Sequence, residues 1–272
     1  MEQNIDINEI RLLVTSVKTK YNFDFGEYAI SSFKRRLLRV LEVYKLSNMQ
    51  SLTDKIVSDK VFYEKFLKEI TVNTTEMFRD PSLWKMLKEK VFPELSQLSS
   101  IRIWHSACST GEEVFSMCIA LKECGLLEKS RLVASDINED VIKVAQSGKY
   151  PLRNMALNSE NYLNGDGKKN LTDYYKVVGD QACMNLDLTS NVLYRKFDLV
   201  MGEPFSKFDL ILCRNVLIYF NVGLQDRVIG MFLKSMMPNA FLSIGSKESI
   251  AFCKSVALFD QFSFEEKIYR KK

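Results

Sequence analysis

Between Ile101 and Ala120 the chain reads IRIWHSACSTGEEVFSMCIA. A β-rich run (Ile101, Ile103, Trp104) stops at the small residues Ser106-Ala107-Cys108-Ser109-Thr110-Gly111, and two carboxylates, Glu112 and Glu113, then open an apolar helix. A strand-turn-helix of this kind lets the backbone approach a ligand closely. Acids at that helix start would repel phosphate where the N-terminus should attract it. The turn is therefore wrong for ATP and suits a cationic or hydroxyl-bearing ligand, a nucleoside such as S-adenosylmethionine. A dinucleotide site asks for GxGxxG; here Gly111 stands alone, which argues against NAD or FAD.

Other residues carry chemistry at matching places. Asp136 ends a second strand, Arg131-Leu-Val-Ala-Ser-Asp136, where an acid can accept hydrogen bonds from both hydroxyls of a ribose; it could equally cap the next helix. Glu113 can serve the ligand through the turn or, in the pattern Thr110-x-x-Glu113, complete a capping box. Cys213-Arg214-Asn215-Val216 follows another apolar strand at the same kind of edge, with Asn215 open to reading as a turn residue and Tyr219-Phe220 as core aromatics. His105, the lone histidine, reads as a strand residue with a satisfied ring rather than a base, and cannot build a metal site alone. No metal is expected.

The elements that must hold these groups follow from periodicity. Ile30, Phe33, Leu37, Leu41 and Tyr44 recur at helical spacing. Arg35, Arg36 and Arg39 fall mainly on the other side, forming either a solvated face or a docking surface for an acidic partner. A second helix is expected over 60–70, and no strand signal precedes it. Asp80-Pro81 marks a helix start, Asp as N-cap, with Leu83, Trp84, Leu87 and Val91 as its buried stripe. From Ile101 strands and helices alternate, which implies a parallel, doubly wound sheet. Phe208–Cys213, Ala240–Gly245 and Phe262–Tyr269 are its later strands. Residues 150–196 break the rhythm. A hairpin turning at Gly179-Asp180 and a strand at 192–197 predict a small antiparallel insert, with 158–170 a mobile loop.

Bulk properties bound the class. The 272 residues are 46% hydrophobic and 26% charged, as in ordinary globular proteins, and a net charge of +4 is too mild to imply nucleic acid. No run of about 18 apolar residues could span a membrane, and MEQNIDINEIRLL lacks the features of a signal peptide. Six scattered cysteines without a CxxC pair fit reduced core residues of a cytoplasmic protein.

Four motifs in order resemble the bacterial chemoreceptor glutamate methyltransferases, the CheR family: Asn73-Thr-Thr-Glu-Met-Phe-Arg79, Ser106-Ala-Cys-Ser-Thr-Gly-Glu-Glu113, Ala134-Ser-Asp-Ile137 and Cys213-Arg-Asn-Val-Leu-Ile-Tyr-Phe220. Order and spacing agree from about Arg11 to the C-terminus. The resemblance implies an α/β, class I (Rossmann-like) methyltransferase sheet (71–272) with a small N-terminal helical domain (1–70) and the antiparallel β insert. It implies transfer of methyl from S-adenosylmethionine to glutamates on the cytoplasmic domain of a chemoreceptor, a methyl-accepting chemotaxis protein, leaving S-adenosylhomocysteine. Asn73, Thr75 and Arg79 then match the segment closing over the cofactor, with Arg79 near the reacting centre. Ala107 and Glu113 belong to the cofactor turn, and Asp136 is expected on the ribose. Asp198-Leu199 stands where the family has Asn-Leu beside the adenine, Asn215-Val216 is another cofactor contact, and Tyr219 is the aromatic near the acceptor. Some members grip a receptor's C-terminal pentapeptide through a glycine-bearing loop in the insert. The short turn at Gly179-Asp180 argues against that tether, leaving Arg35, Arg36, Arg39 and the active-site edge as the receptor-binding surface. A same-fold methyltransferase acting on RNA or a small molecule, and a non-catalytic cofactor-binding adaptor, are the competing readings.

Overall fold

The structure, a computed structural model, describes residues 5–71 and 75–272. The chain divides into two compact units, Met1–Asn73 with Leu217–Arg227, and Thr74–Val216 with Val228–Lys272.

The first unit is helical: α1 Ile7–Tyr21, α2 Ile30–Val43, α3 Met49–Ser58 and α4 Lys60–Ile70. Its helix starts are written in the sequence. Asp6 and Glu9 form a reciprocal capping box on α1, and Asp59 accepts the Val61 and Phe62 amides at the head of α4. The apolar faces meet around Phe25, Phe33, Leu37 and Phe66, all buried. Ile30, placed by periodicity on that face, is exposed. Arg36 is the larger correction. It lies three residues after Phe33 and four before Val40, on the buried face, and is itself buried. Its guanidinium stacks on the Tyr219 ring, 4.1 Å to the centroid, while Nη1 donates to the Ile70 carbonyl at 2.5 Å. Arg35 and Arg39 stay exposed, Arg39 within 3.5 Å of Glu69.

The second unit opens with α5 Pro81–Met86, a π-helical turn at Leu87–Val91, and α6 Phe92–Leu95. Pro93 has no N–H to donate and crowds the preceding turn, a recognised cause of such a bulge. Leu83, Trp84, Leu87 and Val91 form the expected buried stripe. Then come β1 Ile101–Ser106, α7 Glu112–Glu123, β2 Ser130–Asp136, α8 Glu139–Ser147, β3 Lys149–Pro151 and α9 Met155–Asn164. They are followed by β4 Tyr175–Val178, β5 Gln181–Met184, β6 Val192–Lys196 and β7 Phe208–Cys213. Helix α10 Val222–Ser235, β8 Met236–Ile244, β9 Phe259–Ser263 and β10 Ile268–Lys271 complete the chain.

Seven strands form one sheet in the order β6-β2-β1-β7-β8-β10-β9. β6, β2, β1, β7 and β8 pair in parallel, and β10 runs against both β8 and β9. The sheet is therefore mixed, where strand-helix alternation predicted a parallel one. The physical reason is local: the predicted strand 262–269 folds at its middle into the β9–β10 hairpin, which needs no crossover helix. On one face α7 packs over Ile103, Ala134 and Leu212; on the other, Trp104 is enclosed by Phe197, Phe205, Phe208 and Phe232.

The insert also differs in membership. Its three strands run β3-β5-β4, and Val192–Lys196 leaves it to pair in parallel with β2 at the edge of the main sheet. The expected loop at 158–170 is largely helical, in α9. Tyr162 and Tyr174 hydroxyls and the Lys88 ammonium converge on the buried Glu123 carboxylate at the end of α7, and Lys88 also donates to the Gly165 and Asp166 carbonyls. This fixed polar knot holds the segment after α9 against the sheet domain.

Candidate active site

In an open sheet with this order the chain winds outward from β1 through β2 to β6, then returns to β7. Its switch point lies between β1 and β7, beyond the carboxyl ends of the strands, where such sheets take ligands. The turns at that edge are strained in the same sense. Ala107 (φ 58°), Ser109 (φ 50°) and Asn215 (φ 61°) are left-handed without being glycine, and each such residue costs on the order of 1–3 kcal/mol unless its surroundings enforce it. They are enforced: the Cys108 amide donates to the Ser135 carbonyl at 2.8 Å, and the Ser109 amide to Asp136 Oδ2 at 2.9 Å. Gly111 is obligatory at φ 90°, because a Cβ there would come within 2.6 Å of the Ala145 Cβ.

Asp136 sits where the sequence reading put it, buried at the end of β2. Its Oδ1 accepts the Asn138 amide at 3.0 Å, so the two carboxylate oxygens order both adjoining turns. Burial pushes its carboxyl above the usual range, and the amides of Asn138, Ser109 and Ile137 oppose that rise. Around it, Ser109 Oγ and Asn138 Nδ2 are buried and have no hydrogen-bond partner among the described residues. A carboxylate flanked by unpartnered polar atoms, beside a tight glycine turn with no cation on it, fits the hydroxyls of an adenosyl group and does not fit phosphate. Asp198, just beyond β6, is half-buried, and its Oδ1 accepts the Val200 amide at 2.8 Å; Leu199 and Val216 are also half-buried.

Glu113 is not a helix cap. Gly111 holds the N-cap position of α7 with no side-chain bond, and Thr110 Oγ1 donates to Glu112 instead, at 2.6 Å. Glu113 Oε1 receives His105 Nδ1 at 2.9 Å, and Oε2 receives Arg214 Nη1 at 2.8 Å. Burial alone would raise its carboxyl, but the His105 hydrogen bond and the Arg214 charge pull it down to about 2. Its neighbour Glu112 has the opposite fate. Buried with the Thr110 hydroxyl as its bonded side chain, it is pushed up to about 7. The carboxylate acceptor places the His105 proton on Nδ1, and Nε2 is buried without a partner among the described residues. His105 is thus half-satisfied and enclosed, as a positioning group and not a solvent-linked base.

The Thr75–Asp80 segment is pinned by side chains from several elements. Asn158 Oδ1 accepts the Met77 amide at 3.1 Å, and Ser116 Oγ accepts the Phe78 amide at 2.8 Å. Phe78 (φ 53°) and Asp80 (φ 55°), both left-handed, flank the half-buried Arg79, whose carbonyl accepts the Trp84 indole N–H at 3.0 Å and Arg214 Nη2 at 3.2 Å. Asp80 holds the N-cap position of α5 as expected, but makes no capping bond; its Oδ2 takes Arg214 Nη2 at 2.6 Å. Thr75 is half-buried at the start of this segment, and Asn73 lies outside the described residues. Sequence reasoning passed over Arg214, Asp80 and Glu248 as site residues. Glu248 Oε2 accepts the Asn215 amide at 2.9 Å and the Gly245 amide at 2.6 Å, joining the turns after β7 and β8. The available signal was an arginine directly after a strand that is buried along its whole length.

Arg79, Ala107, Glu113, Asp136, Asp198 and Asn215 therefore belong to one edge or to the network that serves it. Tyr219, Arg35, Arg36 and Arg39 belong to the helical unit, where the Tyr219 carbonyl accepts the Ala29 amide at 2.9 Å. A polar crevice of about 320 Å³ lined by Leu127, Arg131, Asp187 and Asn191 lies at the opposite, amino edge of the strands.

Residues 73–268 match the family model of the CheR methyltransferase, SAM binding domain, and residues 8–71 match that of the CheR methyltransferase, all-alpha domain. The chain belongs to the CheR methyltransferase family. It is an S-adenosylmethionine-dependent methyltransferase, with that cofactor's domain built on the mixed seven-stranded sheet. It is 38% identical over 270 residues to the "Putative methyltransferase Cher3" of Pseudomonas putida, a match covering 99% of this chain and 98% of that one. It is also 28% identical to a chemotaxis protein methyltransferase of Listeria monocytogenes, over 86% of this chain and 87% of the relative. A chemotaxis protein methyltransferase of Borreliella burgdorferi is likewise 28% identical, over 91% and 90% of the two chains. The CheR assignment is in keeping with an edge that combines a buried strand-end carboxylate, a tight glycine turn and a pinned arginine segment.

Proposed function

We propose that this CheR-family chain methylates glutamate side chains on the cytoplasmic helices of a chemoreceptor, for chemotactic adaptation. The observation carrying this reading is the single strand edge on which Asp136, the 107–113 turn and the pinned Arg79 segment converge. Bound S-adenosylmethionine supplies an electrophilic methyl group on a sulfonium centre. Asp136 would hold the ribose hydroxyls, Asp198-Leu199 would lie beside the adenine, Asn215-Val216 would make another cofactor contact, and Ala107 and Glu113 would belong to the cofactor turn. Asn73 and Thr75 belong to the closing segment.

A glutamate carboxylate is already ionised at neutral pH, so the acceptor needs no general base. This suits a site whose one histidine is locked onto Glu113 and whose cysteines 108, 118 and 213 are kept as thiols by burial. Catalysis then rests on positioning, which supplies roughly 7–11 kcal/mol at best. Arg79 orients the acceptor carboxylate, and Tyr219 is the aromatic on the acceptor side. Recognition runs through the exposed arginines of α2, Arg35 and Arg39, and through the active-site edge. The β4–β5 hairpin turns at Gly179-Asp180, too short to support a receptor tether. Among the described residues no helix is long and apolar enough to cross a membrane.

The test is incubation with labelled S-adenosylmethionine and receptor cytoplasmic fragments. Base-labile methyl esters on glutamates are expected. Arg79→Ala should nearly abolish transfer while cofactor affinity falls less. Wild-type turnover in that variant, or label appearing in RNA or a small molecule instead, would overturn the reading.

A further inference from the structure

Resting on the reading of Arg79 as the acceptor-orienting residue, we infer that Arg214 is its positioning residue, a buried fork tying the Arg79 peptide to the cofactor turn through Glu113. Arg214 directly follows β7 and is buried. Nη2 donates to the Asp80 carboxylate at 2.6 Å and to the Arg79 carbonyl at 3.2 Å; Nη1 donates to Glu113 at 2.8 Å. A planar guanidinium keeps its nitrogens in one fixed geometry, so one side chain sets the separation between the head of α7 and the 79–80 turn. Glu113 is in turn held by His105 on the central strand β1. The chain of bonds thus runs from the rigid sheet to the backbone of Arg79 without passing through solvent-exposed groups.

The backbone shows why such a fork is needed. Arg79 lies between two left-handed residues, outside any helix or strand, so no hydrogen-bonded ladder fixes its peptide. Its carbonyl has two donors, the Trp84 indole and Arg214. Loss of the arginine fork leaves the indole bond, which keeps the segment attached but loosens its orientation. Misplacement of a reacting group by about 1 Å can cost on the order of 100-fold in rate. A lysine at 214 keeps the charge and cannot reach three acceptors with fixed geometry.

The molecule carries its own reporter. Of its two tryptophans, Trp84 donates to the Arg79 carbonyl, whereas Trp104 donates to Ser135 Oγ at 2.8 Å. Asp80→Asn, which removes charge without changing shape, and Arg214→Lys are each compared with wild type by nitrogen-15 NMR of the two indoles. Cofactor-product calorimetry and receptor methylation kinetics are run alongside. In both variants the Trp84 indole signal should move and its proton exchange about tenfold faster, with Trp104 unchanged. For Asp80→Asn, kcat should fall about 10–100-fold, with receptor KM and S-adenosylhomocysteine affinity within about 3-fold of wild type. An unmoved Trp84 signal in both variants would overturn the inference whatever the activity, as would displacement of both indoles, which marks general loosening. Trp84 displaced with kcat unchanged would also overturn it, and would leave the proposed function standing as long as Arg79→Ala is inactive.

Discussion

Glu112 and Glu113 are neighbours on one helix, and their replacement by glutamine should change stability in opposite directions at pH 8. Glu112 is buried and held near 7 against an ordinary 4.5, so ionising it in the folded state costs roughly 3 kcal/mol. A group whose acid form the fold favours binds its proton more tightly when folded, so wild-type stability falls as pH rises from about 4.5 to 7. Glu112→Gln keeps the shape, retains an acceptor for the Thr110 hydroxyl and removes that penalty. It should be about 2–3 kcal/mol more stabilising at pH 8 than at pH 5. Glu113 is depressed to about 2, so its stabilisation, also roughly 3 kcal/mol, is present above 4.5 and lost as pH falls toward 2. Glu113→Gln forfeits it at pH 5 and pH 8 alike, and leaves the buried Arg214 with Asp80 as its one remaining carboxylate partner among the described residues. Urea titrations of the three proteins at both pH values read these differences directly, at constant m-value. Shifts of the same sign in both variants at pH 8, or a Glu112→Gln effect that does not grow with pH, would refute the electrostatic argument.

Two further outcomes test the assignment of the edge and of the helical unit. Asp136→Ala should weaken S-adenosylmethionine binding by about 10–100-fold in calorimetry, because two ribose hydroxyls lose a charged acceptor; wild-type affinity would remove the ribose role. Charge reversal at Arg35 and Arg39 should raise the receptor KM several-fold, more at low than at high salt, and leave cofactor binding unchanged. Arg36 is left out, since reversing it would bury an acid against the Ile70 carbonyl; an unchanged KM in the double variant would make α2 a solvated face.

The sequence alone determined what depends on neighbours along the chain. The strand-turn-helix at Ile101–Ala120, the obligatory Gly111, Asp136 at a strand end and the helix from Lys60 to Ile70 all follow from local patterns, and the order of motifs led to the family. Tertiary structure decided what depends on residues distant in sequence. Arg36 reads as part of an exposed basic face, and Arg214 only as one residue of a strand-end motif, until their partners are known. Burial of a guanidinium needs acceptors from elsewhere, and Ile70, Glu113 and Asp80 lie 34, 101 and 134 positions away. Val192–Lys196 has the composition of a strand, but which sheet it joins is set by its pairing with β2, not by its own residues. Glu112 and Glu113 are the same residue type one position apart, and a helix turns them to different surroundings. Glu112 is buried with only a hydroxyl to oppose the loss of water, so its carboxyl rises, whereas histidine and arginine outweigh burial at Glu113 and its carboxyl falls.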